Sequence, residues 1–520
     1  MNFSIKETNL KKIFRQSVPY ILFLIVMIVV LSLKANLHVD EVFTYGLSNH
    51  MGGTQVTIED GRTYSPEENP LNDYMTVQIG QRLEFGNVWE NQKNDVHPPL
   101  YYSLVHFVSS FFPNEFSIWF AGIVNIIFGE LSLFMFRRVC SQLSSSKKIL
   151  SVMTFMFIFS AGILMNISFL RMYVMAMFWV LQLTWLILDH MNGNKSKWLY
   201  PAMFATAVAG ALTHYYCIVY TVAISVVYCL YLLFKRKNWK VFLKYAMTMS
   251  LAAGCALVVF PAMLDHLFSG YRGTQAISSL STSTGYLQNL YTFLDLFNIQ
   301  IFGGFMWIFG LAAISLGLFS SAEVKWESIS WKWMVILIPA MAYFLLIAKV
   351  APYQTDRYMF PIYPLIMILV LIPVLSFLEN RFSGKNAMVI SCCLGAVIAG
   401  FSLEKTTWFY LFRDSLPLLA SASNHKNLDA IYIYEEPWQV ASDAEELMQY
   451  KTVTFVNAAD LEKLNQIPTK NAGELIVNAP NRLNPDVYVR DISEQYGLGN
   501  VEEKLGSYGY GSTYLVGKSK

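Results

Sequence analysis

Apolar residues in this chain are grouped in long blocks, not spread in the short periods of a soluble domain. Such runs lie near 18–34, 116–138, 149–168, 170–190, 198–213, 214–234, 243–264, 297–319, 331–350, 358–379 and 386–402. A helix rises about 1.5 Å per residue, so about 20 apolar residues cross the roughly 30 Å hydrocarbon core. The pattern predicts a polytopic α-helical membrane protein with about 11 transmembrane helices. A further run, 98–112, is short and rich in Tyr, Ser and His; counting it makes twelve.

Two polar stretches interrupt the blocks. In the first, 35–96, residues 72–89 alternate apolar and polar positions at near-helical spacing. This reads as an amphipathic helix lying on the membrane, or as a folded surface loop. The second, 420–520, has short alternating runs at 430–434, 452–456 and 474–477 that predict strands. Helical stretches at 443–450, 459–465 and 493–498 fall between them. The expected organisation is a transmembrane domain over 1–405, with a large first outer loop at 35–96, and a small α/β domain over 420–520.

Composition agrees: 54% of the 520 residues are hydrophobic and 14% charged, against about 25% charged in soluble chains. The net charge of +2 says little, because orientation follows where Lys and Arg fall. Basic residues mark the N-terminus and the connections holding Arg137–Arg138 with Lys147–Lys148, Lys195 with Lys197, Lys235 to Lys240, Lys325 with Lys332, and Arg381 with Lys385. Placing these in the cytoplasm turns 35–96, 169–171, 213–215, 265–296 and 351–357 outward, and the C-terminal domain becomes extracytoplasmic. Parity then requires 98–112 to be re-entrant or to lie along the interface. The first run follows Lys6, Lys11, Lys12 and Arg15 as a signal peptide would, but no small-x-small cleavage site follows; it is expected to stay as an anchor.

All six cysteines lie in or beside apolar runs, which argues against a disulfide framework or a Cys-bound metal. Nothing in the chain suggests nucleic-acid binding. There is no glycine-rich phosphate loop after a strand, and no internal repeat.

The outward connections collect the candidate chemistry: Asp40-Glu41, His97-Pro98-Pro99-Leu100-Tyr101-Tyr102, Arg171-Met172-Tyr173, His214-Tyr215-Tyr216 and Asp356-Arg357-Tyr358. Singly, each suits interface anchoring or packing as well as chemistry. Jointly they put carboxylates, histidines and two arginines at one depth. Arginine's planar fork binds phosphate oxygens bidentately, and a carboxylate beside an acceptor hydroxyl can serve as general base. Two adjacent acids cannot both address one acceptor, so one is the base and the other orients the acceptor or holds an Arg.

At these residues the chain resembles the C-type glycosyltransferases of the protein O-mannosyltransferase and lipid A aminoarabinose-transferase kind. The ordered set is an acidic pair after the first span, then His-Pro-Pro-Leu-Tyr-Tyr, Asn114-Glu115-Phe116-Ser117, Arg137-Arg138, Arg-Met-Tyr, and Arg357-Tyr358 with Pro361, Tyr363 and Pro364. The likeness covers roughly 15–400 and leaves the C-terminal domain unexplained. It departs in lacking Leu-Pro-Ser after Glu-Phe-Ser.

The resemblance implies a polyprenyl-phosphate-linked sugar donor, inverting transfer, and an active site facing away from the cytoplasm. It maps Asp40 and Glu41 onto the catalytic acidic position and its neighbour. It implies substrate binding by His97, Tyr101, Arg171, Tyr173, His214, Tyr215, Arg357 and Tyr358. The acceptor is left as a protein, a cell-wall polymer or a glycolipid. Metal use differs within the family; no structural metal is expected, though Asp40 and Glu41 could hold a divalent ion. Competing readings are a transporter or flippase of a lipid-linked sugar that makes no bond, and an assembly scaffold.

Overall fold

The computed structural model describes residues 2–281, 285–321, 330–382, 384–466, 473–498 and 500–517; Lys325, used above for orientation, lies outside them. The chain opens with α1 (Asn2–Ser32) and α2 (Val39–Asn49). Its first polar stretch holds β1 (Thr63–Tyr64), α3 (Pro70–Met75) and α4 (Phe85–Asn94), and leads into α5 (Leu100–Ser109). The helical body is α6 (Ile118–Leu143), α7 (Lys147–Ile158), α8 (Ala161–Ser168), α9 (Tyr173–Met191), α10 (Leu199–Ala211), α11 (Tyr215–Leu230), α12 (Trp239–Val259), α13 (Met263–Phe268), α14 (Tyr271–Ser281), α15 (Tyr286–Gln300), α16 (Met306–Ser321), α17 (Trp331–Val350), α18 (Tyr363–Arg381) and α19 (Gly384–Lys405).

The protein is an integral membrane protein. Among the described residues, seven helices are long and apolar enough to cross a bilayer, eight if the bent pair α7 and α8 is one crossing. Their outer faces are apolar and open: on α12, Met247, Leu251 and Val258 are all well exposed, as lipid-facing side chains are.

The expected count of 11 is not reached: among the described residues only these seven or eight helices pass as full crossings. The run 149–168 bends by 45° between α7 and α8. The freed backbone there is taken up by neighbours: Ala161 N–H donates to Ser402 Oγ at 3.2 Å, and Ser160 Oγ donates to the Gln300 carbonyl at 3.1 Å. Broken helices persist in membranes only where other groups satisfy them in this way. The run 297–319 also divides, at Gly303 and Gly304, whose φ angles are +60° and +95°. A Cβ on Gly303 would sit 2.8 Å from the Ile398 carbonyl, so only glycine allows α19 to pass so close. Helix α5 has ten residues, about half of what a crossing needs.

Residues 72–89 do not form one amphipathic helix. Asn69 caps α3 and accepts from Leu71 N–H at 3.0 Å; a short 3₁₀ turn (Ile79–Gln81) and α4 follow. Pro at the start of α3 and Leu83 in a left-handed conformation (φ +62°) punctuate the run.

After α19 come α20 (Leu416–Asn424), β2 (Asp429–Tyr434), α21 (Gln439–Ser442), α22 (Ala444–Leu447), β3 (Thr452–Asn457), β4 (Glu474–Pro480), α23 (Pro485–Gln495), β5 (Asn500–Tyr508) and β6 (Gly511–Gly517). The strands form one mixed sheet ordered β1-β3-β2-β4-β6-β5. β2 pairs in parallel with β3 and β4, while β6 is antiparallel to β4 and β5.

Strand alternation explains the sheet's two apolar faces. Ile431, Ile433, Val456 and Val477 pack with Val489 and Ile492 of α23. Tyr432, Tyr434, Val453 and Phe455 join the core shared with the helical body. The polar stretch after α2 is built into this sheet: Thr63 and Tyr64 pair with Thr454 and Val453, and Lys463 pairs with Asp60 at 2.7 Å. The first polar stretch and the C-terminal domain are therefore one layer, and α2 packs against α21.

Candidate functional site

Helix α2 explains why two adjacent acids behave differently. His38 is its N-cap: the imidazole Nδ1 accepts from Asp40 N–H at 3.0 Å, and Glu41 Oε2 accepts from His38 N–H at 2.6 Å. This is a capping box with histidine in the serine position. Successive residues on a helix point about 100° apart. Glu41 therefore turns inward while Asp40 faces a cavity.

Glu41 is fully buried. Besides His38 N–H, its carboxylate takes Leu170 N–H at 2.7 Å and an ion pair with Lys34 at 2.9 Å; both side chains of that pair are 0% exposed. Burial pushes Glu41 up and Lys34 down. However, three donors and no acceptor meet the carboxylate, which is the surrounding of an ionised group. Lys34 Nζ also donates to the Tyr410 carbonyl at 2.6 Å. Glu41 thus joins the end of α1, the start of α2 and the turn that carries Arg171.

That turn places Arg171 between α8 and α9. Its Nη1 donates to the Asp40 carbonyl at 2.9 Å and to Thr44 Oγ1 at 3.0 Å, and the guanidinium lies over the Tyr102 ring. Arg357 comes from a 3₁₀ turn, Asp356–Tyr358. Asp356 anchors the turn by accepting from Gln300 Nε2 and Tyr410 Oη, each at 2.8 Å. Arg357 forms an ion pair with the Asp40 carboxylate and stacks on Tyr358. The Nε atoms of Arg171 and Arg357 are buried without a partner among the described residues.

Asp40, Arg171 and Arg357 line a cavity of about 450 Å³ together with His97, Tyr173, His214, Tyr215 and Tyr358. Eight of the ten residues singled out in the sequence therefore share one cavity. Glu41 and Tyr101 do not line it. Tyr101 is buried and donates to Asn125 Oδ1 at 2.8 Å; Asn125 Nδ2 donates in turn to the Phe169 carbonyl at 2.9 Å. Tyr101 thus supports the Arg171 turn from behind.

Electrostatics sharpen the roles. Burial alone would raise the Asp40 carboxyl, but Arg357 and then Arg171 outweigh it and hold it well below the usual carboxylate range. His97 Nδ1 lies 2.8 Å from Asp95 Oδ2; burial lowers the imidazole, Asp95 offsetting only part. His214 accepts from Tyr216 N–H through Nδ1 at 3.1 Å, and burial, then His97 and the two arginines, hold it well below its ordinary value. In both, burial favours the neutral imidazole. Tyr215 Oη lies 2.6 Å from His266 Nδ1.

Tyr216, from the same His-Tyr-Tyr connection, also lines the cavity; Asp95, His266 and Arg272 line it too and were not anticipated. Asp95 stands two residues before His97, and that spacing is the signal that could have found it. Arg272, stacked on Tyr271 and Tyr353, has no local signal.

The proposed divalent site does not fit. Glu41 is committed to Lys34 and points away from Asp40's cavity. Among the described residues, no three His, Cys, Asp or Glu side chains are grouped to hold an ion.

No family model matches the chain, and no curated protein does. Solved structures of an archaeal oligosaccharyltransferase from Archaeoglobus fulgidus superpose loosely on it. The structure titled as AglB in complex with an inhibitory peptide and a dolichol-phosphate has 10% identity and a TM-score of 0.48 over 89% of this chain and 70% of that one. The apo form gives 12% and 0.48 over 90% and 70%. A form tethered to an acceptor peptide containing the NVT sequon gives 10% and 0.47 over 96% and 74%. Superpositions this loose carry no functional inference.

Proposed function

We propose that the protein is a membrane glycosyltransferase that moves a sugar from a polyprenyl-phosphate donor to an acceptor hydroxyl on the extracytoplasmic side. The observation that carries this reading is the convergence of the Asp40 carboxylate with the Arg171 and Arg357 guanidiniums in one cavity. In this reading the shorter and broken apolar segments complete eleven crossings, and the connections carrying the site all emerge at the outer face.

The donor phosphate sits against Arg357 and Arg171, which hold its oxygens and stabilise the charge that builds as the bond to the sugar breaks. The acceptor oxygen attacks the anomeric carbon from the opposite face. The carbon–oxygen bond to phosphate breaks, polyprenyl phosphate leaves with the electron pair, and the acceptor's proton passes to Asp40. Configuration inverts.

The ion pair adds an order to these events. While Arg357 holds Asp40, the carboxylate is a weak base, and bases work best with a pKa near the ambient pH. A donor phosphate that draws Arg357 away restores Asp40's basicity as the substrate arrives. Glu41 is the positioning residue, keeping the Arg171 turn against α2.

A transporter places its ionisable groups at mid-membrane on broken helices, often within repeats. Here the charged cavity lies at helix ends and the sequence has no repeat, which favours the enzyme. The test is Asp40→Asn in the full chain reconstituted in nanodiscs. Binding of polyprenyl phosphate is expected to persist, while transfer from a panel of polyprenyl-phosphate sugars to a membrane extract stops. Undiminished transfer by this variant would refute Asp40 as the base.

A further inference from the structure

A second cavity, of about 620 Å³, opens beside the first where the helical body meets the C-terminal sheet. Its volume falls in the range of small-molecule sites, about 300–1,000 Å³. One wall is the connection after α19, which presents Trp408, Phe409 and Phe412; the other is the β5–β6 turn, with Tyr508 and Tyr510. The rings are set as a cluster: Phe412 lies 5.1 Å from Phe409 and 5.9 Å from Tyr508. Phe412 holds a left-handed backbone conformation, φ +50°, which a bulky side chain adopts only when its surroundings impose it. Phe409 is 54% and Tyr510 38% exposed, and Tyr510 is steadied from outside by the Trp438 ring, edge-on at 4.6 Å.

The polar groups between the rings are of both kinds. Arg413 donates, Asp414 accepts, and both are exposed at the cavity wall. His38 completes the inner end. Its Nδ1 accepts from Asp40 N–H, so in the neutral ring the proton sits on Nε2; burial, pushing its pKa down to about 4, keeps it neutral. His38 Nδ1 is also 3.6 Å from Asp40 Oδ2. Asp40 lines the first cavity and His38 the second, so the two sites come together at this pair.

We propose that this second cavity binds the acceptor, and that the acceptor is a saccharide whose reacting hydroxyl passes His38 to reach Asp40. The proposal rests on the transferase reading above and narrows the acceptor class. A sugar ring has apolar C–H faces that stack on aromatic rings, and rim hydroxyls that both donate and accept hydrogen bonds. That is the mixture found here. An acyl chain would call for aliphatic lining without charges, and only Leu37 and Val39 supply it. A peptide would need main-chain partners along the cavity, whereas β5 and β6 already pair with each other over Tyr508 to Gly511.

The test uses the full chain in nanodiscs, fluorescently labelled, on an array of defined oligosaccharides with serine- and threonine-containing peptides as counter-probes. Saturable binding to a glycan class is expected. Phe409→Ala and Tyr510→Ala, both at exposed positions, are each expected to weaken it about fivefold without moving the thermal unfolding midpoint. Arg357→Ala is expected to leave it intact. Absence of saturable glycan binding, or glycan binding that ignores both ring substitutions, would overturn the proposal; so would peptide binding that depends on Phe409. Polyprenyl phosphate binding is measured on the same nanodiscs. If it is present while glycan binding fails, the acceptor inference falls and the transferase reading stands. If glycans bind but polyprenyl phosphate does not, the donor reading falls instead.

Discussion

The Lys34–Glu41 pair allows a sharp test of how the site is held. Both side chains are 0% exposed and their charges are 2.9 Å apart. With an effective dielectric constant of 20, that separation corresponds to about 6 kcal/mol of attraction. Most of this offsets desolvation, so the measurable quantity is the penalty for leaving one charge alone, about 3–5 kcal/mol. Lys34→Met leaves Glu41 buried with only the backbone donors of Leu170 and His38. Glu41→Gln removes the carboxylate charge beside Lys34, leaving it the neutral Tyr410 carbonyl and the Phe412 ring face as near partners. Each single variant is expected to lose about 4 kcal/mol, and Lys34→Met with Glu41→Gln clearly less than either alone, because no uncompensated charge remains.

The pH dependence follows in sign. Without Lys34, burial raises Glu41 in the folded state above its unfolded value, so the folded protein binds the extra proton. Stability of Lys34→Met then falls as pH rises through that window, by up to about 1.4 kcal/mol per pH unit. Chemical unfolding in detergent micelles, followed by near-UV circular dichroism at several pH values, reads both effects. Strict additivity of the two substitutions, or a pH-independent deficit in Lys34→Met, would refute a buried ionised pair.

Other predictions concern the cavity and the sheet. Arg357→Ala removes a charged hydrogen-bonding partner and is expected to weaken polyprenyl phosphate binding about 10- to 100-fold, measured by titration in nanodiscs; unchanged affinity would remove Arg357 from the phosphate site. The same variant frees Asp40 from its counter-ion, so burial raises the carboxyl and the acid limb of residual transfer shifts to higher pH; an unmoved limb would separate the two residues functionally. In the C-terminal domain, Asp443 is pushed up from 3.8 to about 8, first by burial and then by Glu446. Its folded form keeps a proton that the unfolded chain releases, so the wild type loses stability as pH rises between those values. Asp443→Asn is expected to flatten that decline in unfolding midpoints at pH 5, 7 and 9, and parallel curves would contradict it.

Much of the architecture is visible one residue at a time. Blocks of apolar residues can only be buried helices or membrane spans, so every apolar run in the sequence became helix, if not always unbroken helix. Alternation at 430–434, 452–456 and 474–477 marked β2, β3 and β4. β5 and β6 escaped because their runs are rich in Gly, Ser and charge; they are strands because β4 offers them an edge. β1 could not have been read from two residues, and it exists because Thr454 and Val453 pair with it.

The site divides along the same line. Carboxylates and arginines that avoid apolar runs fall at helix ends whatever the tertiary arrangement, and this much the sequence by itself determined. Which of two adjacent acids meets the cavity depended on the phase of α2, set by a His38 cap and a Glu41 carboxylate tied to Leu170, 129 positions away. Lys34 is indistinguishable in sequence from an interfacial lysine until Glu41 is found beside it. The break at Gly303 reflects crowding by α19, and the second cavity is a seam between two layers. Periodicity reports the short-range preference of each segment; partners far along the chain are chosen by packing, and only the folded tertiary structure decides them.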